Sequence, residues 1–180
     1  MTVPAAIAAP PRLNIGAGRG NQMAGAVRLD RARAARPHVV ADLDKGLPFR
    51  ANAFEAVGAF DVVEHVADVV ALTEEIHRVL RPGGVAYITT PHFSSANAFT
   101  DPTHRRALSL RSFDYFNQRH DLSYYSAARF DVRSARLFFK GPVLGRILFH
   151  LARRWPAFYE DHLAGAFPAW FLYFELVAVK

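Results

Sequence analysis

Short apolar runs recur along the first half of the chain and are separated by turn residues, acids or helical stretches. Runs of strand length cover residues 39–43, 54–61 and 85–90. Residues 70–80 carry apolar side chains at positions 72, 76, 79 and 80 with charges between them, which predicts an amphipathic helix. Arg81-Pro82-Gly83-Gly84 then ends this helix, because proline cannot continue it and glycine suits a left-handed C-cap. This alternation is typical of an α/β protein.

The most informative run is Leu13-Asn14-Ile15-Gly16-Ala17-Gly18-Arg19-Gly20, which predicts a buried strand ending in a glycine-rich turn. Glycine adopts positive φ at little cost and lets a ligand approach the backbone. A dinucleotide site would need its third glycine one position later, and an acidic residue about 20 residues further on. Here Asp30 follows Gly16 by only about 14 positions. The spacing therefore argues against NAD and favours a nucleoside ligand without a pyrophosphate.

Length and composition are consistent with one cytoplasmic domain. The chain has 180 residues and no cysteine, so disulfides and thiolate metal sites are excluded. Its longest apolar stretch, residues 163–174, is shorter than the roughly 20 residues that cross a membrane. The N-terminal residues 1–11 lack the cationic start of a secretory signal. We therefore expect a cytoplasmic protein.

Positive charge is concentrated in the second half of the chain. Residues 101–180 hold twelve Lys or Arg against seven Asp or Glu, a net charge of +5, whereas residues 1–100 have a net charge of +1. An anionic partner is therefore expected to meet the second half. The spacing of apolar and basic residues over residues 142–155 predicts a basic amphipathic helix. Its basic face holds Arg146, His150, Arg153 and Arg154, and its apolar face holds Val143, Leu144, Ile147, Leu148, Leu151 and Trp155.

This basic helix has two interpretations. It could lie on an anionic membrane or recognise a lipid-linked substrate. The favoured alternative is that its apolar face packs on the sheet while the arginines remain in solvent.

Taken together, the motifs resemble the class I S-adenosylmethionine-dependent methyltransferases, in particular the small type 11 group associated with polysaccharide and secondary-metabolite genes. The resemblance covers residues 12–116 well, and residues 170–180 more loosely. It rests on Leu13-Asn14-Ile15-Gly16-Ala17-Gly18, Asp30, Ala41-Asp42-Leu43, Leu47-Pro48-Phe49, Val63-Glu64-His65-Val66 and Leu80-Arg81-Pro82-Gly83-Gly84. One departure is that residues 19–26 are too few for a long first helix.

The resemblance implies a single-domain, Rossmann-like α/β fold over residues 1–180. Its seven-stranded, mostly parallel sheet would have the order 3-2-1-4-5-7-6, an antiparallel last strand, and helices on both faces. A cofactor-binding core would span residues 12–92, and a substrate-side insertion residues 93–128. Residues 129–180 would supply the last strands and the amphipathic helix. The expected strands cover residues 12–15, 26–29, 38–41, 56–60, 84–90, 129–139 and 170–179.

The same resemblance implies S-adenosylmethionine as the cofactor and S-adenosylhomocysteine as the product. The backbone of Gly16, Ala17 and Gly18 would approach the amino-acid end and the ribose. Asp30 would accept both ribose hydroxyls, Asp42 would accept from the adenine amino group, and the Leu43 amide would donate to a ring nitrogen. The predicted cofactor site also includes Arg31, Phe60 and Asp61. Asp30 and Asp42 could instead only cap a helix or turn.

Transfer to a hydroxyl also needs a base, and histidine is suited to this near neutral pH. The candidate bases, in order of preference, are His92, His104 and His65. The predicted acceptor site comprises His92, Asp101, His104 and Tyr115. Some of these residues also have a purely structural interpretation. Glu64-His65 could cap the fourth strand, and Asp101-Pro102 could begin a helix whose first turn holds His104. His92, Asp101 and His104 lack the spacing of a metal site, so no metal is predicted.

Three classes of function are open. The favoured one is methylation of an oxygen or nitrogen of a small molecule, sugar, glycan intermediate or secondary metabolite. The basic second half raises nucleic-acid methylation, but Asp61-Val62-Val63-Glu64 stands where a base-flipping amino methyltransferase would have Asn-Pro-Pro-aromatic. The third is a non-catalytic S-adenosylmethionine-binding partner subunit. The oligomeric state is open, and membrane contact is not expected.

Overall fold

A computed structural model describes residues 11–19, 23–141 and 144–180. Its strands are β1 Arg12–Ile15, β2 Val27–Asp30, β3 Val39–Val40, β4 Phe54–Phe60, β5 Leu80–Pro91, β6 Arg129–Phe138 and β7 Phe171–Val179. Its helices are α1 Val69–Val79, α2 Asn97–Thr100, α3 Leu144–Arg154 and α4 Pro156–Phe158, the last followed by a π-helical turn, Tyr159–Leu163. Short 3₁₀ turns occur at Arg33–Ala35, Leu43–Lys45, Ser112–Phe116 and Ser123–Tyr125.

All seven strands form one sheet in the order β3-β2-β1-β4-β5-β7-β6. Strands β1 to β5 pair in parallel with their neighbours, whereas β7 is antiparallel to both β5 and β6. The predicted order and the antiparallel last strand are thereby confirmed. Strand β5 begins at Leu80, earlier than predicted, because Leu80 already pairs with Phe54 before a register shift. The parallel arrangement brings the carboxyl ends of β1 to β4 to one edge of the sheet.

The connection between β1 and β2 has no α-helix in its described residues, 16–19 and 23–26. This agrees with the expectation that the segment is too short for a long first helix. Helix α1 instead follows β4 and packs against β5. Its start is fixed by Asp68, whose carboxylate accepts a hydrogen bond of 3.0 Å from the Ala71 amide. The apolar stripe of α1 is buried in the main core and consists of Leu72, Ile76 and Val79.

The basic helix is observed as α3, and its packing differs from the prediction. The buried stripe consists of Gly145, Leu148 and Ala152. Leu144 and Ile147 of the predicted apolar face are exposed, Ile147 by 60%. Gly145 lies close to the segment that precedes the helix: a Cβ there would be 3.1 Å from the Lys140 carbonyl oxygen, so a larger side chain would fit at this position only if that segment shifted. Trp155, just beyond α3, is also exposed, Leu151 is half-buried, and Val143 lies outside the described residues.

The basic face of α3 faces solvent, as the packing interpretation predicts. Arg146, His150, Arg153 and Arg154 are all exposed. In the part of the chain that the structure describes, no helix combines the length and apolar character needed to cross a membrane.

Gly16, at the end of β1, is expected to be the glycine least tolerant of substitution. Its φ is +58°, and a Cβ would lie 2.4 Å from Cγ2 of Val62. We expect Gly16→Ala to lower the free energy of unfolding by about 2–3 kcal/mol, because left-handed strain adds to steric overlap. Urea denaturation checks this. Gly83→Ala is the control, since Gly83 has a φ of +71° but a Cβ added there would meet no described atom within 4 Å. Equal losses in the two variants would contradict a role for the contact with Val62.

Candidate active site

A cleft of about 250 Å³ opens at the edge of the sheet where β1 to β4 end. Parallel α/β sheets bind ligands at this edge. A larger cavity of about 400 Å³ lies between β6 and α3, but it holds none of the acids or histidines that follow the strands. We therefore take the strand-end cleft as the candidate active site. It is lined by Gly16, Asp30, Arg31, Asp42, Leu43, Asp44, Asp61, Val62, His65, Val66 and Thr103.

The glycine turn after β1 is held in place by residues of β2. The Gly18 amide donates to Oδ2 of Asp30 over 2.8 Å, and the Ala17 amide donates to the Leu29 carbonyl over 3.1 Å. The Arg28 guanidinium donates to the carbonyl oxygens of Gly18, over 2.7 Å, and of Ala35, over 2.9 Å. Arg28 was not singled out in the sequence, because nothing in its local pattern shows that it reaches across to this turn.

The acidic residues at the strand ends form one wall of the cleft. Oδ1 of Asp30 accepts from the Ala32 amide at 2.7 Å, and Oδ1 of Asp42 accepts from the Asp44 amide at 3.2 Å. Both aspartates therefore have the turn-capping role that was their structural alternative. A carboxylate oxygen has more than one lone pair, so these bonds leave acceptor capacity for a ligand.

The other predicted cofactor residues differ in their access to the cleft. Arg31, Leu43 and Asp61 line it, and Asp61 accepts a hydrogen bond of 2.8 Å from the Thr89 hydroxyl. Asp61 has a φ of +55°, a conformation that a non-glycine residue rarely adopts, so its backbone is strained where it borders the cleft. Phe60 is not among the lining residues and packs with a small cluster around Met23.

Two of the candidate histidines meet beside the cleft. The ring centroids of His65 and His104 are 4.6 Å apart, and the rings meet edge to face. Nδ1 of His65 lies 2.9 Å from the Thr103 hydroxyl, which in turn donates to Oδ1 of Asp101 over 2.7 Å. Asp101 does not begin a helix, since α2 ends at Thr100. The hydrogen bond from the Thr103 amide is the main cause that lowers the pKa of Asp101.

Glu64 is the functional candidate that sequence reasoning treated only as a strand cap. Its side chain is buried, and neither carboxylate oxygen makes a hydrogen bond of normal geometry among the described residues. Burial raises its pKa to about 7, although contacts with its own backbone amide and with the Thr90 hydroxyl act in the opposite direction. One donor atom each of Glu64, His65 and His104 lie within 4.8 Å of one another, so these three residues could hold a metal ion.

The loop carrying His104 is fastened to the end of β4. The Glu64 carbonyl accepts from the amides of Arg105, at 2.7 Å, and Arg106, at 3.3 Å. The Arg106 guanidinium also donates to the Ala67 carbonyl over 2.6 Å. Residues 101–106 therefore form a fixed wall beside the cleft.

His92, the first-ranked base, lies in a different environment. Its side chain is 0% exposed and is not among the residues that line the cleft. Nε2 lies 3.2 Å from Oε1 of Glu160, and Nδ1 lies 2.7 Å from the Ser94 hydroxyl. Tyr115 also lies outside the lining residues and packs on Phe116. The structure thus brings His65, His104 and Asp101 together and leaves His92 and Tyr115 apart from them.

Comparisons with known proteins agree with this architecture. Residues 21–88, less than half of the chain, match the family model described as a methyltransferase domain. No curated protein matches the sequence. An S-adenosylmethionine-dependent methyltransferase from Archaeoglobus fulgidus is similar in structure, with a TM-score of 0.65 and 16% identity over 94% of this chain and 86% of that one. One from Mesorhizobium loti has a TM-score of 0.57 and 18% identity over 93% and 90%.

The same fold also occurs in a protein named for a different activity. The [4+2]-cyclase SpnF has a TM-score of 0.59 and 15% identity over 94% of this chain and 75% of that one. At such identities the structural likeness establishes the fold. Residues 21–88 are in addition similar in sequence to a methyltransferase domain.

Proposed function

We propose that this chain, which carries a methyltransferase domain, is an S-adenosylmethionine-dependent enzyme that methylates an oxygen or nitrogen of a small acceptor. Sugars, glycan intermediates and secondary metabolites are the favoured acceptors. The observation that carries the proposal is one cleft in which the glycine turn after β1, the acids after β2 and β3, and a histidine after β4 all meet.

The residues of the cleft fit S-adenosylmethionine. A ligand can approach the main chain at Gly16, which lines the cleft, whereas Ala17 and Gly18 are not among the lining residues. Asp30 would hold the ribose hydroxyls, Asp42 and Leu43 would hold the adenine, and Arg31 and Asp61 would complete the walls. When bound, the cofactor supplies a methyl group on a sulfonium, which is already an activated carbon.

The task of this chain's own residues is to position the acceptor and remove its proton. His65 lines the cleft, and its Nδ1 contacts the Thr103 hydroxyl that is bonded to Asp101. This relay orients the imidazole, so that its other nitrogen can meet an acceptor. His104 packs against the same ring. We therefore favour His65 and His104 over His92 as the groups that receive the proton, and residues 93–128 as the acceptor side.

The alternatives make different demands. A nucleic-acid methyltransferase would need basic residues at the cleft, yet its lining includes four aspartates and one arginine. A non-catalytic partner subunit would bind the cofactor without producing S-adenosylhomocysteine. A reaction other than methylation on the same fold would likewise release none.

The cofactor prediction is tested by calorimetry with S-adenosylmethionine and S-adenosylhomocysteine. We expect binding to the wild-type chain, and we expect Asp30→Ala to weaken it by about 1–3 kcal/mol through loss of a carboxylate that pairs with buried hydroxyls. Asp131→Ala, on the exposed surface of β6, is the control and should bind like the wild type. Equal affinity in all three proteins would remove Asp30 from the ribose site, and preference for NADH would overturn the assignment.

Activity requires an acceptor, which a screen can identify. Candidate sugars, glycan intermediates and metabolites are each incubated with the protein and S-adenosylmethionine, and S-adenosylhomocysteine is measured. Formation that depends on one acceptor supports the proposed enzyme. Cofactor binding without turnover across every acceptor class would favour the partner-subunit alternative.

A further inference from the structure

We propose that Glu64, His65 and His104 bind one divalent metal ion of the zinc class, which holds an oxygen of the methyl acceptor. This inference rests on the proposed function and deepens it, because it selects oxygen as the accepting atom. With the ion bound, His65 and His104 would hold the metal instead of receiving the proton themselves. The three residues come from the end of β4 and from the loop after α2, and their donor atoms lie within 4.8 Å of one another. The sequence analysis considered a different set of ligands, His92, Asp101 and His104, and predicted no metal because their spacing is unsuitable. The grouping proposed here shares only His104 with that set.

The first supporting observation is the orientation of the two imidazoles. The Thr103 hydroxyl gives its hydrogen to Asp101, so its oxygen accepts from Nδ1–H of His65. Nδ1 of His104 lies 3.2 Å from the Ala98 carbonyl oxygen, which can only accept, so Nδ1 carries the hydrogen there as well. In the neutral form of each ring, Nε2 is therefore the nitrogen that is free of hydrogen and able to bind a metal. Metal-binding histidines characteristically donate their other N–H to an oxygen in this way.

The second observation is the carboxylate of Glu64. The residue is 1% exposed, and within the described parts of the chain neither of its side-chain oxygens makes a hydrogen bond of normal geometry, although the Thr90 hydroxyl lies nearby. A buried carboxylate without a partner is costly, and buried charges are normally paired or coordinate a metal. A cation between Glu64 and the two histidines would supply the missing partner.

The donor set indicates the class of ion and its role. Two imidazole nitrogens and one carboxylate oxygen suit Zn²⁺ and similar ions, and three protein ligands leave a position open. The open position would face the cleft, because His65 and Thr103 line it. An acceptor hydroxyl bound there would lose its proton more readily, since a bound cation stabilises the resulting oxygen anion. The proton would leave to solvent, and the oxygen would form its bond to the methyl carbon as the bond from that carbon to the sulfonium sulfur breaks and S-adenosylhomocysteine leaves.

The direct test is calorimetric titration of the chelator-treated, dialysed protein with Zn²⁺, without cofactor or acceptor. We expect one Zn²⁺ per chain. Glu64→Gln, His65→Gln and His104→Gln should each weaken binding at least about tenfold through loss of a ligand. Thr103→Val should weaken it by about 10–100-fold, although Thr103 is not a ligand, because His65 loses the group that orients it. Titration with Co²⁺ should give visible absorption that these variants lose.

The control variant is His150→Gln, which removes an exposed histidine from α3 and should bind Zn²⁺ like the wild type. Glu64→Gln keeps the shape of the side chain and is neutral, so it should stay folded by circular dichroism while losing the metal. Absence of stoichiometric binding, or equal binding by the wild type and all four site variants, would overturn the inference. Equal loss in His150→Gln would assign the ion to another place and would also overturn it.

The two proposals fail separately. Cofactor binding that depends on Asp30, together with no binding of Zn²⁺, would leave the proposed function standing and remove only the metal. Binding of Zn²⁺ through Glu64 without any binding of S-adenosylmethionine would overturn the proposed function.

Discussion

Replacing His65 with glutamine is expected to lower turnover of a hydroxyl acceptor by about 10²–10⁴, because a positioned side chain that removes the proton contributes a factor of this size. His104→Gln is expected to have an effect of similar direction, since the two rings are in contact. The affinity for S-adenosylmethionine should remain nearly unchanged, because the residues proposed to hold the cofactor are retained. The measurement is the rate of S-adenosylhomocysteine formation with the acceptor identified by the screen.

His92→Gln provides the informative comparison. His92 is buried against Glu160 and does not line the cleft, so its replacement should reduce stability more than turnover. His150→Gln on α3 should change neither quantity. If His65→Gln, His104→Gln and His92→Gln all kept near-normal rates, the acceptor would be one that needs no base, such as a carboxylate or an amine, or another residue would receive the proton.

Glu160→Ala is expected to lower the free energy of unfolding by about 3–5 kcal/mol, because it breaks a buried charged network by removing one partner. The Glu160 side chain is 2% exposed and accepts hydrogen bonds from the Leu110 amide and the Arg111 guanidinium. It also lies 3.2 Å from Nε2 of His92. Removal would leave these three donors without their acceptor. Urea denaturation at neutral pH measures the loss.

Asp161→Ala is the matched control for this network. Asp161 is the next residue, is about half exposed and accepts from the same Arg111. A surface ion pair of this kind contributes about 0–1 kcal/mol. A loss in Asp161→Ala as large as that in Glu160→Ala would contradict the importance of burial.

The same network predicts how stability depends on pH. Burial raises the pKa of the Glu160 carboxyl, but hydrogen bonds from His92, Leu110 and Arg111 outweigh it, and the pKa is lowered from its usual value of 4.5. A carboxyl whose pKa is lower in the folded state stabilises the protein above pH 4.5 and loses this contribution as the pH falls below it. The stability difference between the wild type and Glu160→Gln should therefore shrink on acidification, and a constant difference would contradict the pairing.

Helix α1 and strands β1, β3, β4 and β5 could be predicted from local signals in the sequence, whereas the positions of the other three strands came from the family resemblance. The signals are apolar runs of strand length and, in α1, apolar residues at positions 72, 76 and 79. Burial of one face of an element requires apolar residues at such positions, so the pattern is visible in the local sequence. The order of the strands came from the resemblance carried by the glycine turn and the acids that follow β2 and β3. Helix α3 was located, but its buried face was not, because the buried residues are mostly small ones, Gly145 and Ala152 beside Leu148, and a pattern of large apolar residues does not mark them.

The sequence by itself determined the type of fold and the edge of the sheet where a ligand would bind. The ends of strands can be recognised from the local sequence. Parallel strands bring their carboxyl ends to the same edge of the sheet, and this does not depend on the conformation of the loops between them. Only the tertiary structure decided which histidines share the cleft. His92 and His65 both follow strands, yet one is buried against Glu160 and the other meets His104. Such contacts join residues far apart in the chain, so no local periodicity records them. The grouping of Glu64 with His65 and His104 has the same origin: packing of the 101–106 loop on β4 creates it.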